Sequence, residues 1–578
     1  MKSSSYRVSK SRHAVLLGVF VIASSVLMVR LFDLQLNKGT FLKDVGQETH
    51  LRLVELAAHR GVVLDRNNEV LAMSTPVDSI CANPSELQYQ EFALPALAKA
   101  IGWPLDHLRR EVHKRSNKAF MYLSRHASQT KVDQVKALEI PGVFFKREYR
   151  RYYPSAEVMA HVVGFTNIDD IGQEGLEGTY DNWLRGSAGS KWVLKDNLGR
   201  TIEDVDYVKA PQPGKQLTLS LDRQIQYLAY RSLKAAVKKH GAESGSIVVL
   251  NNKTGEILAM ANQPAFNPNN RAQLKSERYR NRAVTDLVEP GSTIKPFVVA
   301  AALSSGAMQS KAAFNTSPGQ YRLQGRLIND IKDYGRLDIE AILVKSSNVG
   351  MSKIALQTEA KSIWSMLDQL GFGISTNSGF QGESFGNLPH HTDWSEVDQA
   401  VLSFGYGLSV TPLQLAKAYA TLANDGVAVP VTFLKKTDAE QGKRIVPQSV
   451  AREVRRMLEG VVSDEGTARL AKVDGYRVAG KTGTVRIAGK QGYDEDRYLT
   501  LFAGMIPASN PQLVAVVTVS DPRGEEYYGG IVAAPVFAEV MKSAVRVLDI
   551  HPDDLGSVRH VNRQGEMSGK AVDARYQY

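Results

Sequence analysis

The sequence predicts an α/β chain of the α+β type, in two or three domains, carried behind one membrane-spanning helix. Three observations give this expectation. A single long apolar run, Ala14 to Val29, stands near the N-terminus. Stretches of strand character that turn on Asn, Asp and Gly, as at Ile247 to Met260, alternate with apolar helical stretches such as Pro296 to Leu303. The 578 residues, 43% hydrophobic and 23% charged, can bury several cores and exclude a disordered chain.

Lys2, Arg7, Lys10 and Arg12 precede the apolar run, and Arg30 follows it before a second patch, Leu31-Phe32. The strict run is shorter than the roughly 20 residues a spanning helix prefers. Arg30 can snorkel, which extends the anchor to 14–36. Positive charge ahead of the span predicts a cytoplasmic segment 1–13, with the bulk of the chain outside. Ala23-Ser24-Ser25 could pass as a signal-peptidase site, but apolar residues continue past it, so an uncleaved anchor is expected.

The net charge of +11 suits a nucleic acid or an anionic surface. No basic stripe interleaved with aromatics and no zinc-finger spacing occurs, so a membrane or wall surface is expected and nucleic acid is not. Cys81 is the single cysteine, which excludes an intrachain disulfide. The 12 histidines form no HExxH and no Cys/His cluster, and His390-His391 is their only adjacent pair, so neither metal nor cofactor is expected.

Beyond the anchor, Arg60-Gly61 to Ala72 reads as strand, Asp/Asn turn, strand, and residues 94–138 as polar helix. Arg150 to Pro154 and Gly172 to Tyr180 read as a loop and a helix start, and Pro211-Gln-Pro213-Gly214 as a linker. That linker sets the expected domains: 37–214, then 215–548, then a disordered tail over 549–578. Within the second, Leu217 to Leu221 alternates as a strand, Asp222 caps a helix through Tyr227 to Val237, and Ile247 to Met260 is a hairpin turning at Asn251 to Gly255.

Three short motifs carry the chemistry: Ser292-Thr-Ile-Lys295 (S-x-x-K), Ser346-Ser-Asn348 (S-x-N) and Lys481-Thr482-Gly483 (K-T-G). Each pattern also occurs a second time, at Ser128–Lys131, Ser375–Asn377 and Lys253–Gly255, so context must choose. Ser292 follows Glu289-Pro290-Gly291 and opens an apolar helix, and three-residue spacing puts Lys295 on its face. Backbone N–H groups at such a helix start favour a developing negative charge. Ser128 lies in a polar stretch with no Gly or Pro lead-in, Ser375 in a Gly-flanked loop, and Lys253 in a hairpin turn.

A serine needs a base, and Lys295 is the nearest one if burial and a second cation, Lys481, lower its pKa. Ser346 can relay the proton, and Asn348 can hold the amide beside the acyl carbon. Strand alternation puts Thr482 and Thr484 on one face, where two hydroxyls can hold a carboxylate. Gly483 leaves room for substrate backbone along the strand, and the Thr484 N–H can serve as an oxyanion donor.

These motifs, with His161 to Asn167, Glu174-Gly-Leu-Glu177, Tyr527-Tyr528-Gly529-Gly530 and Ala533 to Phe537, resemble the class B penicillin-binding proteins, and within them the septal branch. The resemblance implies an antiparallel sheet flanked by helices and a non-catalytic, dimerisation-type pedestal over 37–214. It also implies a bacterial inner-membrane enzyme with its catalytic domain in the periplasm. Its activity would be D,D-transpeptidation: attack on D-Ala-D-Ala of a stem peptide, then transfer to a diamino-acid amine, with β-lactams as inhibitors. Ser292, Lys295, Ser346, Asn348 and Lys481 would be catalytic, and Thr482, Gly483, Thr484 and Tyr528 would bind substrate. A lipid-II polymerase and other division proteins would be partners. Asn67-Asn68 departs from the Asn-Gly common in such hairpins, which touches the turn and not the chemistry. An elongation-specific class B enzyme shares every motif, and a β-lactam-acylating sensor or scaffold is the non-enzymatic alternative.

Overall fold

The computed structural model describes residues 10–39, 41, 51–195, 201–270, 275–437, 441–489, 492–524 and 526–554; most of the expected polar tail lies outside these. Lys10–Phe32 is one α-helix, continued by a wider turn over Asp33–Asn37, and none of its side chains is buried. Among the described residues it is the one helix long and apolar enough to cross a membrane, and it fits a single-pass anchor. Arg30 pairs with Asp33 at 3.1 Å, at the end where snorkelling was expected.

The rest divides into two compact units, each assembled from separate stretches of chain. One takes Met1–His59, Pro76–Glu148 and Gly186–Pro213; the other takes Arg60–Thr75, Tyr149–Arg185 and Gly214–Tyr578. The first unit holds an antiparallel sheet in the order Leu51–Leu56, Gly189–Lys195, Thr201–Lys209. It also has a small core of its own, where helices Leu94–Ile101, Leu105–Lys114 and Gln129–Lys136 bury Leu97, Leu108, Val112 and Val132. The expected polar helical stretch over 94–138 is three helices with a strand, Met121–Ser124, between the second and third, whose Met121 and Leu123 alternate inward. Four residues are too few for helical and strand periodicity to be told apart by pattern.

The second unit is built on a five-stranded antiparallel sheet in the order Ile257–Gln263, Ser244–Asn251, Leu513–Ser520, Gly492–Ile506, Ala479–Gly489. Ile247 to Leu250 and Leu513 to Val517 are buried without a break, which a half-solvated strand would not be. Helices cover both faces. Phe502 meets Phe537 of the C-terminal helix Ala534–Val547 edge-on at 4.9 Å, while the preceding residue, Leu501, faces the turn that holds Thr293. Asp222 caps the helix Arg223–Lys239, accepting from Gln224 N at 2.9 Å and Ile225 N at 3.1 Å, as its sequence position predicts. The alternating stretch before it is a strand only over Leu217–Thr218.

The hairpin at Arg60 does more than turn. Asp65 Oδ1 accepts from Asn67 N and Glu69 N, and Asn68 takes a left-handed φ of 66°, the position Asn-Gly turns fill with Gly. Arg60 is buried against Glu177 at 2.6 Å and Asp181 at 2.7 Å, and Glu177 also takes Arg151 at 2.6 Å. Glu177 and Asp181 together thus balance two buried guanidinium groups. Replacing Glu177 by Ala leaves Arg151 without its carboxylate and Arg60 with Asp181 alone, and is expected to cost about 3–5 kcal/mol, read as a lowered urea midpoint of the full-length protein, whereas Phe92→Ala on the exposed surface leaves the midpoint near wild type.

Candidate active site

Ser292 lies in a 3₁₀ turn, Gly291–Ile294, and the α-helix proper is Lys295–Ser304. The serine therefore sits just ahead of the helix rather than as its first residue. Gly291 has φ of 53°, and a Cβ there would collide with Val485 Cγ2. Gly405, whose O accepts from Gly291 N at 3.1 Å, has φ of 90° and no room for a Cβ against the Gly291 backbone. The buried hydroxyl of Tyr419, on the helix Pro412–Ala423, donates to Thr293 O at 2.8 Å and fixes the turn from below.

The S-x-N motif is a break between two helices. Ile339–Lys345 ends at Ser346, which takes φ of 59°, and Ser347 caps Asn348–Leu356 by accepting from Gly350 N at 2.8 Å. Asp330 holds this break together, accepting from Ser347 Oγ at 2.6 Å, Asn348 N at 2.5 Å and Val349 N at 3.1 Å. K-T-G lies inside the strand Ala479–Gly489, and that strand ends the sheet, so one edge has no strand paired to it among the described residues.

These elements converge on one hydroxyl. Ser346 Oγ donates to Ser292 Oγ at 3.0 Å and accepts from Lys481 Nζ at 2.9 Å and Lys295 Nζ at 3.2 Å. Lys295 Nζ also donates to Ser346 O at 2.7 Å and Asn348 Oδ1 at 2.8 Å. Lys481 Nζ donates further to Thr482 O at 3.2 Å. Both lysines are fully buried. Burial, and then the neighbouring Lys481, hold the Lys295 amine well below the ordinary lysine range, and burial pushes Lys481 down to about 7.

Asn348 Oδ1 is committed to Lys295, and its Nδ2 donates to Asn329 O at 3.3 Å. Thr482 Oγ1 pairs with Thr467 Oγ1 at 2.8 Å, and Thr484 Oγ1 accepts from Gly529 N at 3.0 Å, so each hydroxyl is oriented by the protein. A Cβ on Gly483 would lie 3.1 Å from Pro290 O and 3.2 Å from Thr293 Cγ2, so this glycine lets the strand pack on the turn that holds Ser292. Tyr528 is exposed and stacks on Tyr527 at 4.7 Å, which stacks on Tyr498 at 4.2 Å.

The duplicate motifs stay apart from this cluster. Ser128 caps the helix Gln129–Lys136. Ser375 donates to Glu383 at 2.6 Å within its loop. Lys253 is in the turn between two strands, where its N–H donates to Asn251 Oδ1 at 2.9 Å. Sequence reading missed Asp330, Thr467, Gly405 and Tyr419. None stands in a motif; the weak signals were a Gly-Tyr-Gly run at Gly405 and a lone Tyr in an apolar helix.

The penicillin binding protein transpeptidase domain matches residues 245–542, and the penicillin-binding protein dimerisation domain matches residues 55–219. The fold is thus that of the serine-type transpeptidases. A Pseudomonas aeruginosa protein named "Probable peptidoglycan D,D-transpeptidase PbpC" is 42% identical over 94% of this chain and 96% of its own. Peptidoglycan D,D-transpeptidase FtsI of Escherichia coli K12 is 40% identical over 96% of each chain. The solved transpeptidase domain of Burkholderia pseudomallei penicillin-binding protein 3 is 39% identical, covering 58% of this chain and 97% of that one, with a TM-score of 0.54. With both domains matched and relatives aligned over nearly its whole length, the chain belongs to the class B penicillin-binding proteins.

Thr484→Val orphans the buried Gly529 N–H and is expected to cost about 1–3 kcal/mol, lowering the melting temperature. Thr484→Ser keeps the acceptor and should melt near wild type. Thr482→Val faces only another hydroxyl, so its effect should fall on penicillin acylation more than on stability.

Proposed function

We propose that this protein is a serine peptidoglycan D,D-transpeptidase of septum formation, acylated at Ser292. The observation that carries the chemistry is Ser346 Oγ, in hydrogen-bond reach of Ser292 and of both buried lysines. In this reading Lys295 reacts as the neutral amine. Ser292 gives its proton to Ser346 Oγ as the Ser346 proton passes to Lys295, and Ser292 Oγ bonds to the carbonyl carbon between the two D-Ala residues. N–H groups of the nucleophile's turn and of Thr484 hold the oxyanion. The peptide C–N bond then breaks, the leaving D-Ala nitrogen takes a proton back from the lysine–serine relay, and an ester remains on Ser292. A diamino-acid amine of a second stem peptide attacks that ester, loses a proton to the relay and returns Ser292 to its hydroxyl. A β-lactam offers the same carbonyl in a ring, so its leaving nitrogen stays attached and the ester persists.

Thr482 and Thr484 are assigned the donor carboxylate, Asn348 the neighbouring amide, and Gly483 and Tyr528 the walls of the peptide groove. Lys481 is the second cation that keeps Lys295 neutral. We assign residues 1–13 to the cytoplasm, 14–36 to the membrane, 37–214 to a non-catalytic pedestal and 215–548 to the periplasmic transpeptidase domain, with 549–578 as a tail. The basic residues ahead of the helix support this orientation. A lipid-II-polymerising membrane protein and other division proteins are the proposed partners.

Ser292→Ala should abolish labelling of the full chain by a fluorescent penicillin, and the labelled peptide of the wild type should contain Ser292; label on a peptide with Ser128 rejects the assignment. Acylation should rise with pH as Lys295 loses its proton, and this rise should lie well below the ordinary lysine range because burial and Lys481 disfavour the charged amine. Arginine stays charged, so Lys295→Arg should slow acylation by more than about tenfold, ~1.4 kcal/mol in the barrier; a smaller loss points to another base. Depletion should give filaments if the protein serves the septum and rounded, dividing cells if it serves elongation.

A further inference from the structure

Behind the nucleophile, on the sheet face that carries its turn, lies a cavity of about 300 Å³ that none of the proposed catalytic or substrate-binding residues lines. Its floor is unusual for the face of a core sheet. Ser244 stands opposite Ser520 and Ser246 opposite Thr518 in register, so four hydroxyls replace the branched apolar residues found further along both strands. Ser246 and Thr518 bond each other at 2.7 Å. The roof is the segment Arg282–Glu289, which leads directly into Pro290-Gly291-Ser292.

The charges around this cavity are unevenly satisfied. Asp286 is held by Arg280 at 2.9 Å, and Glu289 accepts from Tyr493 at 2.9 Å and from Gly407 N at 3.0 Å. Arg282 Nε and Nη1 are buried with no hydrogen-bond partner, and the nearest carboxylate oxygen, on Asp286, is 4.0 Å away. Buried guanidinium nitrogens are costly without an acceptor, and hydroxyls can donate to one as well. Leu287, Val288, Val485 and Leu499 supply apolar walls. The volume is about ten times the ~30 Å³ share of one water, so an occupant can be larger than a single solvent molecule.

We propose that this cavity binds a small organic carboxylate, its oxygens toward Arg282 and the hydroxyl floor and its short apolar body against Val485 and Leu499, and that occupancy changes the reactivity of Ser292. The coupling is steric. Val485 fills the space a Cβ on Gly291 would need, so whatever presses on Val485 presses on the residue before the nucleophile. Val485 also follows Thr484 in the strand, so both walls of the cleft feel the same contact. The second half of this inference rests on acylation at Ser292; the first half does not.

The test uses the full chain in detergent, with butyrate or inorganic phosphate exchanged against chloride at constant ionic strength. Melting temperature reads binding, and the rate of labelling by a fluorescent penicillin reads coupling. Butyrate should raise the melting temperature and change the labelling rate by about twofold or more, with phosphate weaker on both. Arg282→Gln and Ser520→Val should each weaken the butyrate response by about fivefold or more while labelling without butyrate is unchanged; Ser520→Val alone suffices if the first variant does not fold. No response to butyrate, or a response undiminished in the variants, overturns the site. An equal response to phosphate overturns the organic carboxylate, and a melting shift without a rate change overturns the coupling. A wild type that never labels would instead overturn the acyl-enzyme reading, with butyrate-dependent melting still testing the cavity.

Discussion

Two fully buried ammonium-bearing side chains, Lys295 and Lys481, share one serine hydroxyl, and the hydrogen bonds they make go to neutral oxygens. Carrying two charges out of water side by side, without a bonded carboxylate, is too costly for both to persist. The protein therefore holds at least one lysine close to neutrality, which is the condition a lysine must meet to take a proton from a serine. Much of the surrounding structure serves to keep this pair buried and close.

Three supports are needed because the groups come from three distant parts of the chain. The turn that holds Ser292 is fixed by Tyr419 from its own face and by Gly405 and Val485 at Gly291. The Ser346 break needs a left-handed residue between two helices, a conformation unfavourable for serine by roughly 1–2 kcal/mol, and Asp330 offsets that cost with three hydrogen bonds. The strand with Lys481 is held by its sheet neighbour, and its glycine lets it approach Pro290 and Thr293. An error of about an ångström in any of these would separate Ser346 from one of its partners.

The sheet explains why the second unit is assembled from so much sequence. Its first two strands and its last three are antiparallel neighbours, and the long stretch between them supplies the helices that cover one face and the turns at their ends that hold Ser292 and Ser346. Arg60, Arg151 and Glu177 belong to the same unit although they come from early segments. With Asp181 they form a buried cluster of two cations and two anions that ties those segments together.

What the sequence determined by itself was whatever is encoded locally. The apolar run and its flanking charges, the Asp222 cap, the Asn251–Gly255 turn and the Asp65–Asn68 turn are each written in adjacent residues, so short-range sterics and hydrogen bonding suffice to read them. Context beside each motif also separated Ser292 from Ser128, because a Pro-Gly lead-in to an apolar helix is itself a local feature. The tertiary structure decided everything that depends on distance. It made Ser346 the bridge to Lys481, 135 residues away, drew Asp330 to the S-x-N break, and joined Arg60 to Glu177 across 117 residues. It also gave Gly483 a packing role, and turned Met121–Ser124 into a strand inside a helical stretch. Side-chain identity is fixed by sequence, but which buried charges meet, and how far their pKa values move, is set only when the folded chain excludes water around them.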